Sequence, residues 1–296
     1  MFSHYADYEA LLAEIQLVLF MLGMGANLTL GEFFYVFRRP LPFLAAAIGQ
    51  IFVIPFIAVG VNYLFGLKGG LAVGLILIAA MPGGALSKVI TWFGKGNIAL
   101  SITLSAFSTL ACILFVPLWL KLLAAEYVPE GFSVPADRVV LDVALFLIAP
   151  LVVGMAIGRR IPRQRHLFAR VCLRLGLLFV VVMIAGSVGS GRIRPGEHGI
   201  VVPLAIIVFC LAGMQGNQLP FWLLRWPRAD RMAAGIEVTM RNINLALLLY
   251  AEFFAKDESL REGVLFVILF YAAAAMIAGL LLATRHRFIA RHEAVR

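Results

Sequence analysis

The sequence predicts an all-α protein that crosses a membrane many times, and three observations carry that prediction. Hydrophobic residues are 62% of the 296 and the mean hydropathy is +0.96, values foreign to a soluble domain. The chain divides into apolar stretches of at least the about 20 residues a helix needs to span a bilayer. Polar connections between them are short, the longest being 123–137 and 159–170, so no soluble domain is attached.

Nine spans are predicted, at about 9–28, 41–66, 69–94, 97–122, 138–158, 171–190, 199–222, 231–254 and 262–284. The first lacks the charged start and cleavage site of a signal peptide and is expected to be retained. The third and eighth are interrupted. Placing the N-terminus outside assigns 16 Lys and Arg to inside connections and 7 to outside ones, the excess that the positive-inside rule requires. That orientation puts the C-terminal tail in the cytoplasm of a multi-pass protein of the cell membrane, expected to be a bacterial inner membrane. Spans 1–4 (about 9–122) overlay spans 6–9 (about 171–284) with opposite direction. The two interrupted spans then correspond, as in transporters that alternate access around an inverted repeat.

The first interruption reads Met81-Pro82-Gly83-Gly84-Ala85-Leu86-Ser87-Lys88. Pro82 removes a backbone donor and disrupts its own helix. The half-helix restarting at Ala85 and Leu86 would turn unpaired N–H groups and a positive dipole end toward a cavity, an arrangement suited to an anion. A simple proline kink is the alternative.

The second interruption follows Gly235-Ile236-Glu237-Val238-Thr239-Met240-Arg241-Asn242. Glu237 is the one carboxylate well inside a span, since Glu14, Asp142 and Glu252 lie nearer predicted ends. Lys88 and Arg241 are the in-span cations. A charge at membrane depth costs about 2.5–3.5 kcal/mol on insertion scales, so the economical expectation is that all three meet where the broken helices cross. Snorkelling of either cation to an interface is the competing reading.

Ser101 and Ser105 share one face of the fourth span, with Ser108 three residues on. They either face the crossing or satisfy helix carbonyls locally. Gln50, inside the second span, marks helix packing or a ligand. Asn242 and Asn244 either satisfy opened backbone or, with Ala85 and Leu86, contact substrate.

Other chemistries find little support. The net charge of +9 follows membrane topology rather than nucleic acid. Cys112, Cys172 and Cys210 lie in or beside apolar segments without metal spacing, and no His falls within a span. Neither an enzyme nor a cofactor or metal is expected.

These stretches resemble the bile acid:sodium symporter family: Gly23-Met24-Gly25 with Leu28-Thr29-Leu30, Pro82-Gly83-Gly84 through Ser87, Gly96-Asn97 leading to Ala99-Leu100-Ser101, and Ile236-Glu237-Val238 with Met240 and Asn242. The resemblance covers nearly the whole chain and is to the nine-helix form. It implies a core domain holding two crossed discontinuous helices, a smaller panel domain, and a small organic anion bound between them. It also implies two sodium sites. One matches Ser87, Lys88, Ser101, Ser105 and Glu237. The other matches Gln50, Glu237, Arg241 and the carbonyls near Val238 and Met240.

The chain departs from that pattern where it matters most. Lys88 stands where relatives carry Asn, and Arg241 where they carry Gln. Ammonium and guanidinium groups donate hydrogen bonds only and cannot ligate a cation. A unit charge 4 Å from sodium would repel it by roughly 4 kcal/mol at an effective dielectric of 20. The expectation is a sodium-independent transporter of an organic anion in which Lys88 and Arg241 replace the two ions. A proton- or sodium-coupled symporter of the same fold and a non-transporting receptor are the alternatives. Relatives often offer a hydroxyl at position 85, which is Ala here.

Overall fold

A computed structural model describes residues 5–29, 31, 40–84, 86–129, 135–189 and 199–293. These residues are almost wholly helical, and the helices follow the apolar stretches. In chain order they are α1 (Tyr5–Asn27), α2 (Pro40–Phe65), α3 (Gly69–Ala80), α4 (Leu86–Phe93), α5 (Ile98–Tyr127) and α6 (Ala136–Arg160). Then come α7 (Arg165–Gly189), α8 (Val201–Leu223), α9 (Arg228–Thr239), α10 (Ile243–Phe254) and α11 (Arg261–Glu293). Among the described residues, seven helices are long and apolar enough to cross a membrane, and α3 and α10 are shorter apolar ones. The protein is therefore a polytopic α-helical membrane protein. Several helices overrun the apolar edges of the sequence, α11 continuing to Glu293, because a helix keeps its hydrogen bonds after it leaves lipid.

Helix association in lipid depends on close backbone approach rather than on hydrophobic exclusion. The junction of α1 and α6 illustrates it. A Cβ on Gly25 would come within 2.1 Å of the Leu151 carbonyl oxygen, and one on Gly154 within 2.4 Å of that of Leu22. α1 packs lengthwise on α6 and α7. The remaining helices gather around the breaks, with α3 on α11, α9 on α8, and α2 on α8. Leu75, Ile76, Leu77 and Ile78 of α3 pack into one buried cluster with Val264, Val267 and Ile268 of α11. Outward-facing Leu177, Leu178 and Val181 of α7, and Leu280 and Leu281 of α11, leave an apolar exterior suited to lipid.

α2 contains a one-turn π bulge at Gly49–Val53, immediately before Pro55. Proline has no N–H, so it withholds a donor from Ile51 (i−4) and, across the bulge, from Gln50 (i−5). The Trp119 indole donates to the Ile51 carbonyl at 2.9 Å. The Gln50 carbonyl is taken up by Arg241, from the other end of the sequence.

Candidate functional site

The two interruptions meet and satisfy each other's backbone. α3 ends as Met81 turns extended (φ −66°, ψ 146°), the conformation that a following proline favours. On the other strand of the crossing, Met240 and Asn242 leave the helical region with ψ of 74° and 84°. Gly83 and Arg241 then form an isolated antiparallel bridge. Gly84 N–H donates to the Met240 carbonyl at 2.6 Å, and Asn242 N–H donates to the Pro82 carbonyl at 2.9 Å. The bridge lies among buried residues, where each unpaired backbone group would cost several kcal/mol.

Glu237 is 0% exposed and sits two residues before the end of α9. Its Oε2 accepts from the Ser101 hydroxyl at 2.8 Å, and its Oε1 accepts from the Ser105 hydroxyl. The four-residue spacing of the serines puts both hydroxyls on the same carboxylate. Lys88 Nζ donates to Ser105 Oγ at 2.7 Å, with longer 3.5 Å approaches to the Gly84 carbonyl and Met24 Sδ. The amine therefore reaches the carboxylate through the Ser105 hydroxyl, which accepts from nitrogen and donates to oxygen. Ser108 Oγ completes this face, accepting from Gly83 N–H at 3.2 Å.

Arg241 stands at the same crossing, paired with Gly83 in the bridge. Its hydrogen bonds go to main-chain carbonyls rather than to the carboxylate. Nη1 donates to Met81 at 2.7 Å and Nη2 to Gln50 at 3.4 Å. Both carbonyls are orphans, one past a helix end and one ahead of Pro55. A guanidinium fork has the paired donors to satisfy both. The Gln50 side chain is buried near it without a hydrogen-bond partner.

The remaining predicted residues are distributed as follows. Ser87 Oγ donates to the Gly84 carbonyl at 2.8 Å and so closes the first turn of α4. The Val238 carbonyl accepts from the Tyr271 hydroxyl at 3.5 Å, while that of Met240 is held in the bridge. Asn242 satisfies opened backbone, its Oδ1 capping α10 by accepting from Leu245 N–H at 3.1 Å. The Asn244 carbonyl accepts from Gln16 of α1 at 3.3 Å. Leu86 is 47% exposed at the start of α4. Ala85 lies outside the described residues.

Two participants carried no role in the sequence reading, although Asn97 lies in one of its motifs. Tyr271 donates to the Thr239 carbonyl at 2.9 Å and so holds the broken end of α9. Asn97, which caps α5, also donates to Asp230 Oδ1 at 2.6 Å and ties the start of α5 to the start of α9. The available signal for Tyr271 was a hydroxyl in mid-span, which must find a partner when buried.

Gly83 is required by space. A Cβ there would lie 1.7 Å from Glu237 Oε1 and 3.1 Å from Ser105 Oγ. Gly83→Ala is expected to cost about 3 kcal/mol, since the intruding methyl must push apart the carboxylate and the bridge. Thermal melting in detergent checks this, and a melting point equal to that of the parent would refute the close approach.

Comparison with known proteins gives the family. Residues 14–192 match the model of the sodium bile acid symporter family. The chain is 28% identical over 241 residues to the uncharacterized sodium-dependent transporter YocS of Bacillus subtilis (strain 168), covering 81% of this chain and 74% of that protein. It is 27% identical over 254 residues to the "probable sodium/metabolite cotransporter BASS2, chloroplastic" of Oryza sativa subsp. japonica, covering 83% of this chain and 58% of that protein. It is 25% identical over 250 residues to the ileal sodium/bile acid cotransporter of Oryctolagus cuniculus, covering 82% and 70%. The chain thus spans about three quarters of the bacterial relative and under three fifths of the rice one. These relatives bear transporter names, and the chain is a non-enzymatic membrane protein. With its family model matched over more than half its length, the chain belongs to the sodium bile acid symporter family.

Proposed function

We propose that this protein is a secondary transporter of a small organic anion, working by alternating access, in which Lys88 and Arg241 stand in for coupling ions. The observation that carries the reading is where the two cations hydrogen-bond. Lys88 Nζ binds Ser105, one of the hydroxyls that also serve Glu237. Arg241 binds two orphan carbonyls beside the bridge. In both places a nitrogen donor faces the kind of oxygen that would ligate sodium, and that nitrogen would repel an incoming cation.

The substrate is assigned to a cavity of about 1100 Å³ between α1, α5 and α6. Leu28, Leu110, Leu151 and Met155 line it, with Arg159 and Arg165 on its wall. An apolar cleft with a few placed cations suits an organic acid with a hydrophobic body. These arginines belong to the connections that the positive-inside rule places in the cytoplasm, so the described conformation is read as open inward. The helices on either side of the crossing are read as inverted repeats, and α1, α6 and α7 as the panel against which the core rocks.

A second reading rests on the chain from Lys88 through Ser105 to Glu237. It links an amine to a carboxylate through one hydroxyl, the shortest path for proton exchange between them, and would make the protein proton-coupled. Uptake of radiolabelled organic acids into liposomes, with and without sodium and with and without a pH gradient, separates the possibilities. Uptake indifferent to sodium is expected. Acceleration by an inward proton gradient selects the second reading. Strict dependence on sodium defeats both readings, and absence of uptake for every acid tried counts against transport itself.

A further inference from the structure

Away from the crossing lies a second cavity, of about 460 Å³, walled by α8, α9 and α11. It shares no lining residue with the 1100 Å³ cleft. Its basic wall is made by Arg228 and Arg231 of α9 with Arg285 and His286 of α11, and no acidic residue lines it. Asp230, between the two α9 arginines, is 2% exposed and accepts from Asn97.

Gln218 of α8 lines the same cavity. It is 8% exposed, and its amide packs against Gly235 of α9. The His286 ring is set by its Nδ1, 2.6 Å from the Gly94 carbonyl. A carbonyl can only accept, so Nδ1 carries the proton and this contact fixes the ring on the cavity wall.

Guanidinium groups are the side chains best matched to phosphate oxygens, which they bind in pairs. The rim indicates where the phosphate comes from. Trp222 (64% exposed) and Leu219 (50%) of α8 border the cavity, and Leu223 (61%) follows on the same helix. An exposed Trp beside exposed Leu next to arginines is the composition of a bilayer interface. The positive-inside distribution assigns this end to the cytoplasm, whose leaflet carries anionic lipid, and basic pockets between helices on that side suit anionic headgroups.

We infer that this cavity binds the phosphate of an anionic phospholipid headgroup, gripped by Arg231 and Arg285, while the acyl chains lie along α8. Because α9 carries Glu237, occupancy ties the first half of the second broken helix to α8 and α11.

Native mass spectrometry of the full chain in detergent tests the assignment, with phosphatidylglycerol, phosphatidylcholine or inorganic phosphate added. Phosphatidylglycerol is expected to be retained at least tenfold better than phosphatidylcholine. R231Q/R285Q should lose that preference, while R163Q, which removes an exposed arginine outside the cavity, should keep it. Equal retention of both lipids, or full preference in the double variant, would overturn the site. Displacement of the lipid by millimolar inorganic phosphate would overturn the lipid as its occupant. Should the double variant not fold, a photoreactive phosphatidylglycerol headgroup on the parent protein decides: labelling within 215–231 and 282–289 supports the site, and labelling confined elsewhere sinks it.

Discussion

Replacing Glu237 by Gln is expected to destabilise the protein by about 3 kcal/mol, the lower end of the range for removing one member of a buried charged pair. The carboxylate accepts two serine hydroxyls and balances an amine one hydroxyl away. An amide of the same shape keeps one acceptor and turns an N–H donor toward a hydroxyl that must itself donate. The loss stays near the lower end because Arg241 makes no hydrogen bond to this carboxylate; its donors reach Met81 and Gln50. Double-mutant cycles measure the distinction. Coupling between E237Q and K88M is expected to exceed 1 kcal/mol, as for residues in one network. Coupling between E237Q and R241M should be smaller. The reverse order would mean that Arg241, rather than Lys88, is the electrostatic partner of the carboxylate.

The second large effect concerns what happens when the nitrogens are removed. In K88N/R241Q the amine beside Ser105 becomes an amide that offers an oxygen, and the fork on Met81 and Gln50 becomes one too. Glu237 then lacks a nearby cation, while two groups of oxygens face inward. Sodium is expected to bind there and to stabilise the double variant by about 1.4 kcal/mol at a concentration tenfold above its dissociation constant. The parent should show no such gain. The measurement is the melting temperature in sodium against potassium at constant ionic strength. A double variant that melts alike in both salts would remove the main support for side-chain nitrogens in the place of ions.

These two predictions separate what was legible in the residues from what was not. Span-length apolar runs dictated an all-helical membrane protein, because hydrocarbon forces every backbone group to pair within its own segment. The breaks were legible too. Pro82 cannot continue a ladder, and the ionisable groups at 88, 237 and 241 have no reason to sit in lipid without a function. The pairing of Ser101 with Ser105 followed from their spacing of four.

The residues by themselves left Lys88 and Arg241 as two cations near one carboxylate, and the family resemblance grouped Lys88 with Ser101, Ser105 and Glu237 and Arg241 with Gln50 and the carbonyls near Val238 and Met240. The particular acceptor of each nitrogen was decided only in three dimensions. In the fold Lys88 donates to Ser105, while the guanidinium of Arg241 donates to the Gln50 carbonyl ahead of Pro55 and to the Met81 carbonyl past the end of α3. Likewise the sequence left Asn242 open to either backbone or substrate, and the structure shows its N–H on Pro82 and its Oδ1 on the cap of α10. Local composition determines which segments span the membrane and where they break, since those are contests between a residue and its own backbone. The destination of each donor depends on acceptors more than a hundred residues away, and only the packed structure supplies their positions.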